Sequence, residues 1–387
     1  VTDTTRDAPA RVHLDNGGRA PWHPLARQAF LQAVDDGWAD PRRLHAEGRR
    51  AAALLDGARE AVAAVLGART EEVRLTHSHT TALHAGVLAA ATGRRRAGGD
   101  VVVSAVERAA VLHAAEQAAA THGGRRVDVA VDRLGRVDAA AMSDAVAAPG
   151  VALAALQHAN GEVGTLQPVE EVHAAARAAG VPLLVDAGAS LGHAEVSPAW
   201  DLLAADPADW GAPAGVGVLA ARGRVRLVPP GPEDPDPWAP GGVSVPAALA
   251  AAVALQAVTA DRQAEDARRR ALVDRVRAAV AAIPDVEVVG DPRDRLPHVV
   301  TFSFLYVDGE ALLTELDRAG IAVGSGSACT ASTLEPSHVL AAMGVLTHGN
   351  VRVALDRSTT EHDVDRLLEV LPGAVERVRE MLGVGGL

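Results

Sequence analysis

The chain has 387 residues, longer than one hydrophobic core usually grows, and its 48% hydrophobic content rules out wholesale disorder. A net charge of -12 with only 2% aromatics excludes the basic stripes and stacking platforms that hold nucleic acids. The one cysteine, Cys329, leaves no internal disulfide and points to a reducing compartment.

The opening stretch, Val1 to Gly18, is polar and lacks the apolar run of a secretory signal. From there, short Val/Leu-rich runs alternate with longer Ala/Arg/Glu patterns. Strands are expected at Val73–Thr76, Val101–Ser104, Val127–Val131, Val151–Leu156, Pro182–Asp186 and Val216–Ala220. Helices are expected at Arg49–Leu66, Thr80–Ala91, Ala109–Ala120 and Val169–Ala179. Such alternation predicts a mostly parallel sheet with helices on both faces. A Pro/Gly/acid-rich loop, Pro229 to Gly242, interrupts it. Pro246 to Ala282 then reads as one long helix or two joined ones, and its least polar part is too short to span a bilayer. Strands at Val286–Val289, Val299–Leu305 and Asn350–Leu355, with helices at Glu310–Ala319 and Glu361–Leu382, make a second, α+β unit. The division expected is a large α/β domain, 14–250, and a small domain, 1–13 with 251–387. The simplest reading is a soluble cytoplasmic protein.

All 37 basic residues are arginine; the chain contains no lysine. No side chain can therefore form a Schiff base or serve as a lysine general base.

The segment Gly324 to Leu340 reads GSGSACTASTLEPSHVL. Small residues on both sides of Cys329 leave a thiol accessible, whereas a lone cysteine is more often a buried small hydrophobe. This loop resembles the catalytic loop of the NifS/IscS-like cysteine desulfurases, class-V aminotransferases. Further motifs carry the likeness: HLDNGGRAPWHP from His13, DPRRLHAEG from Asp40, VDAGASLG from Val185 and NVRVALDRSTT from Asn350. It runs from about Arg11 to Leu382. It implies a type I aminotransferase-like α/β fold with a mostly parallel, seven-stranded-type sheet, a homodimer, and a site between two domains.

The resemblance also implies pyridoxal phosphate as cofactor and Cys329 as the sulfur-accepting residue. Yet the position of the family's Schiff-base lysine falls on Asp209, and that of a phosphate-binding serine on Asp206. The ring-stacking histidine falls on Arg108, the cofactor-contacting asparagine on Gly161, and a glutamine on Ala189. The partner subunit's phosphate contact falls on Ala239–Gly242. Thr80, at a helix N-terminus suited to phosphate, and Asp186, the pyridine-binding acid, are retained. So is Arg352, where the family binds the substrate carboxylate.

Two acids placed where a phosphate ester would sit cost on the order of 4 kcal/mol per contact at about 4 Å and an effective dielectric near 20. An arginine, Arg108 or Arg19, is therefore expected to fill the old pocket and pair with Asp209, Asp206 or Asp186. Without the lysine, Asp186 reads as a structural acid and Arg352 equally as an interdomain ion pair. His45 reads as a cap. His77, His79 and His84 lack the i, i+4 spacing of a zinc pair and read as helix-terminus polarity, so no metal is expected.

The expected protein is thus desulfurase-like without pyridoxal chemistry. It acts as a persulfide relay through Cys329 with a sulfur donor or acceptor protein, or as a scaffold or regulatory partner of a true desulfurase. An ordinary pyridoxal-dependent desulfurase is the reading the absent lysine disfavours. Neither nucleic acid nor a membrane is expected as a partner.

Overall fold

The computed structural model describes residues 11–325 and 336–384. Twelve strands run through the described residues: β1 (Val12–His13), β2 (Val73–Thr76), β3 (Asp100–Ser104), β4 (Arg126–Val129), β5 (Val151–Gln157), β6 (Leu183–Asp186), β7 (Leu202–Ala205), β8 (Gly217–Ala221), β9 (Val286–Val289), β10 (Val299–Phe304), β11 (Ile321–Ala322) and β12 (Asn350–Ala354). Seven of them form one sheet in the order β2-β8-β7-β6-β5-β3-β4, parallel except for β8, which is antiparallel to both neighbours. Crossover helices cover both faces.

The central strands are buried on both sides, which is why they read as continuous apolar runs. Leu153 and Ala155 of β5 face one helical layer, and Ala154 and Leu156 the other. Strand β7 repeats this alternation with Leu202 and Ala204 against Leu203 and Ala205. Four residues long and inside WDLLAADPADW, β7 carries no periodic signal and was not expected. The helices Pro24–Asp36 and Ala139–Ala147 were likewise unforeseen.

Pro246 to Ala282 resolves into two helices, Val245–Ala260 and Arg262–Val280, meeting at Asp261. The first is apolar all round, and Ala250, Ala254 and Leu255 pack into the large core. The expected domain boundary at 250/251 falls inside this helix. The second helix turns its apolar stripe, Leu272, Val273, Val276 and Val280, onto another core. That core is built on the antiparallel sheet β12-β10-β9, with Phe302 and Phe304 at its centre and the helix Glu361–Met381 across it. Strand β1 pairs with β11, so the first described segment is fastened to this smaller unit. Among the described residues no helix is long and apolar enough to cross a membrane.

Candidate functional site at the carboxyl ends of the central strands

Open α/β sheets bind ligands beyond the carboxyl ends of their strands. Asp186 is the last residue of β6 and is 4% exposed. Its Oδ1 accepts hydrogen bonds from the Gly188 N–H at 2.8 Å and pairs with His79 Nε2 at 2.8 Å. Its Oδ2 accepts from Arg108 Nε at 3.3 Å. His79 opens the helix His79–Arg94, whose N-cap Ser78 accepts from the Thr81 N–H. Its ring is buried, and its other nitrogen, Nδ1, lies 4.0 Å from Asp206 Oδ2.

Small residues make this arrangement possible. A Cβ on Gly188 would lie 2.2 Å from His79 Cε1, so the ring rests against bare backbone there. A Cβ on Gly217 would lie 2.2 Å from the Ser78 carbonyl oxygen, so β8 lets the residue before His79 come equally close. A Cβ on Gly161 would lie 3.1 Å from the Ala189 methyl and 3.9 Å from Arg108 Nη2. Gly161 and Ala189, two of the positions where the resemblance implied amide side chains, thus leave room beside the Arg108 guanidinium.

The electrostatics follow. Burial alone would raise the Asp186 pKa, but the His79 charge and hydrogen bond, Arg108 and the Gly188 N–H hold it well below the usual carboxylate range. Asp206 is pushed upward, chiefly by burial and also by neighbouring Asp209. Arg108 also loses hydration, yet the charges of Asp186, Asp206 and Asp209 raise its pKa. Glu107, fully buried next to Arg108 in sequence, is pushed up to about 8 by burial, against a hydrogen bond from the Gln157 N–H. Its Oε2 has no partner. Burial likewise pushes Glu162 up to about 7.

Asp209 lies in the turn between β7 and β8 and faces elsewhere. Its Oδ1 accepts from the Gly18 N–H at 2.8 Å. His193 Nε2 faces the Asp209 carbonyl oxygen at 3.1 Å and its Oδ2 at 3.0 Å. Arg269, from the helix Arg262–Val280 and wholly buried, donates to His193 Nδ1 at 2.9 Å. His298 stacks on His193 with ring centroids 4.0 Å apart. Burial and then the charges of His193, Arg269, Arg295 and Arg352 hold His298 far below its ordinary pKa.

Ligand atoms of His193, Asp209 and His298 lie within 4.8 Å of one another, the spacing of a metal site. The hydrogen bonding opposes one. Arginine only donates, so His193 Nδ1 is the acceptor and the ring proton sits on Nε2, the nitrogen that would have to ligate. The cluster, in which His193 donates to the Asp209 carbonyl and accepts from Arg269, ties the N-terminal segment to the helix Arg262–Val280.

The other expected residues separate. Of the two arginines considered, Arg108 enters the pocket and Arg19 is exposed. Asp209 takes a histidine and a backbone N–H where an arginine was among the partners anticipated. Thr80 is exposed on the first turn of its helix. Arg352, on β12 and 6% exposed, pairs with Asp15 at 3.1 Å, while among the described residues its Nε has no partner. His45 caps the helix Ala46–Leu66 by accepting from the Gly48 N–H. His77 meets the Pro240 carbonyl and His84 meets Gln117, so the three histidines share no centre. Cys329 lies outside the described residues. The residue that sequence reasoning missed is His79. Its signal was a large ring next to Thr80 where the family has alanine, with Gly188 two positions after the retained Asp186.

Residues 12–367 match the aminotransferase class-V family. The chain is 35% identical to a cysteine desulfurase of Gluconacetobacter diazotrophicus, over 96% of this chain and 94% of that protein. It is 34% identical to the cysteine desulfurase IscS 1 of Archaeoglobus fulgidus, over 95% and 98%. A solved NifS-like protein superposes with a TM-score of 0.85 at 23% identity, covering 96% of this chain and 99% of that one. The apo cysteine desulfurase of Thermococcus onnurineus NA1 superposes with a TM-score of 0.83 at 22% identity, over 95% of each chain. These two structures establish a common fold.

Proposed function

The chain belongs to the class-V aminotransferase family, alongside the NifS/IscS-like cysteine desulfurases, and on that premise we propose that it handles sulfur without pyridoxal chemistry. The observation that carries this reading is the state of Asp186. Its Oδ1 already takes His79 and the Gly188 N–H and its Oδ2 takes Arg108, so a pyridine nitrogen would have to compete with partners the chain itself supplies. The chain offers no side-chain amine for an aldimine, and the residue at the expected lysine position, Asp209, is tied to Gly18 and His193. Acidic Asp206 stands near the helix N-terminus where a phosphate would dock. Pyridoxal phosphate does not fit this set.

What remains of the family's equipment is Cys329 in its motif. The relay reading is a redox-neutral exchange. The Cys329 thiolate attacks the outer sulfur of a donor persulfide, the donor's S–S bond breaks, and the donor leaves as a thiolate while Cys329 carries the new S–S bond. The inherited homodimer is part of this proposal. Addition of pyridoxal phosphate to the purified protein is expected to give no aldimine absorption band. Labelled sulfur from a donor desulfurase is expected on the native protein and not on Cys329→Ser. A borohydride-reducible internal adduct, or an accessible native thiol that takes no sulfur, overturns it.

A second reading, a scaffold or regulatory subunit, draws on the surface. Trp22, Leu25, Leu31, Val34 and Trp38 expose large apolar side chains in and around the helix Pro24–Asp36. An accessible Cys329 that stays unlabelled, in a protein that co-purifies with a desulfurase, selects that reading.

A further inference from the structure

We infer that the cavity between Asn16, Asp209 and Val258 is a binding site for a small primary ammonium ion. The inference goes beyond the sulfur reading and depends on neither Cys329 nor pyridoxal phosphate. The cavity, of about 110 Å³, lies where three parts of the chain meet. Asn16 comes from the segment after β1, Asp209 and Trp210 from the turn between β7 and β8, and Val258 from the helix Val245–Ala260. Leu355 and Asp356, which follow β12, close it from the smaller unit. Asp186, His79 and Arg108 are not among its lining residues, so it is separate from the crevice above the strand ends.

The buried side-chain donors of this lining are spent. Asn16 Nδ2 donates to the His13 carbonyl at 3.2 Å and to the Ala354 carbonyl at 3.0 Å. Trp210 Nε1 donates to the Ala251 carbonyl at 3.1 Å. His193 Nε2 turns its proton to the Asp209 carbonyl, and Arg269 is taken by His193, Asp266 and the Glu265 carbonyl. Two buried acceptors are not spent. Among the described residues neither Asn16 Oδ1 nor Asp209 Oδ2 accepts a hydrogen bond. Two carbonyl partners on Nδ2 fix the Asn16 amide, so its oxygen cannot trade places with a donor. A buried acceptor without a partner is costly, so an entering N–H group satisfies what the fold leaves open.

Charge and size narrow the ligand further. The two arginines at the cavity are matched from outside its lining, Arg269 by Asp266 and Arg357 by Asp261. Asp356 is taken up by Ser358 and Thr359, which leaves Asp209 as the acid for an incoming cation. An anion would meet spare acceptors and no spare buried donor. The indole of Trp210, Val258 and Leu355 make apolar walls, each no more than 2% exposed. A cavity of about 150 Å³ accepts benzene, so this one suits an ammonium carrying one or two carbons. Its N–H groups would make charge-assisted bonds to the carboxylate and the amide oxygen.

Ethylammonium chloride is expected to raise the melting temperature of the native protein saturably, measured against sodium chloride at equal ionic strength. The rise should be about 2 °C at roughly tenfold excess over the dissociation constant. Ethanol, similar in size but uncharged, and acetate, which brings the wrong charge, should not reproduce it. Asp209→Asn should lose the response and Cys329→Ser should keep it.

Should Asp209→Asn fail to fold, carbon-13 methylammonium added to the native protein gives an independent reading. Its methyl group is expected to show nuclear Overhauser contacts to the Trp210 ring protons. A cavity that holds water alone gives no response to ethylammonium beyond that to sodium chloride, and this overturns the inference. So does an equal response to ethanol, a response that survives in Asp209→Asn, or a bound methyl group with no contact to Trp210.

Discussion

Two buried carboxylates, Asp186 at the end of β6 and Asp209 beyond β7, are held in different ways, and Asp209 Oδ2 makes no hydrogen bond among the described residues. Asp186 faces the crevice above the strand ends and is matched by charge: a histidine and an arginine, from two different helix starts, converge on it. Asp209 faces the N-terminal segment and is matched mainly by geometry: one backbone N–H, then a histidine whose tautomer Arg269 sets. The first arrangement neutralises a site; the second fastens the chain's beginning, the large sheet and a helix of the smaller unit together. The same side-chain chemistry thus serves a pocket in one place and a joint in the other. What separates them is which elements supply the partners: two helix starts at Asp186, the N-terminal segment and a helix of the smaller unit around Asp209.

The comparison predicts unequal costs. Asp186→Ala removes the counter-ion of Arg108 and the hydrogen-bond partner of the buried His79 ring. It should destabilise the protein by about 3–5 kcal/mol, read from urea unfolding at neutral pH. A loss no larger than that of an ordinary surface substitution would show that His79 and Arg108 do not depend on it.

The next effect is in the pH profile. Asp186 has a folded pKa below its unfolded value, so its contribution is present above about pH 3.9 and is lost as pH falls through the lower folded value. Glu107 has the opposite sign. Its folded pKa of about 8 lies above the unfolded value, so the folded state binds the extra proton. Its contribution is complete below about pH 4.3 and is lost as pH rises through about 8. Glu162, pushed up to about 7, adds to the same slope. Stability should therefore peak on the acid side of neutrality and decline from pH 5 to pH 9. Glu107→Gln should flatten that decline and become more stable than the native protein near pH 9. An unchanged slope in the Gln variant would remove Glu107 from the account.

Asp209→Asn keeps an oxygen for the Gly18 N–H and loses the charge facing His193. A cost of about 1–2 kcal/mol is expected, with faster amide exchange at Gly18 as the local reporter. A cost equal to that of Asp186→Ala would erase the distinction between charge matching and geometric matching. Smallest of all, Arg19→Ala should change stability by no more than about 0.5 kcal/mol, because its side chain is exposed and stands outside both clusters.

The alternation of apolar runs with helical patterns was enough to place most strands of the large, mostly parallel sheet and several of its helices. Val101–Ser104 shows as a continuous apolar run and Glu361–Leu382 as a helical stripe, both written locally. The missing lysine, the acids at 206 and 209, and the arginine at 108 were also legible, because each is a change of residue type inside a recognisable motif. Strand β7 was not, since a strand buried on both faces has no polar alternation to mark it. Nor was the role of His79. In the sequence it belongs to a run of histidines; in the fold it stands 107 residues from its partner Asp186 and is admitted only because Gly188 and Gly217 lack side chains. The tautomer of His193 likewise depends on Arg269, a residue 76 positions away on another unit's helix. The sequence alone determined which charges were lost and gained, because composition is local. Which of them meet was decided by the tertiary structure, because a buried charge takes whichever partner the packed backbone brings within reach.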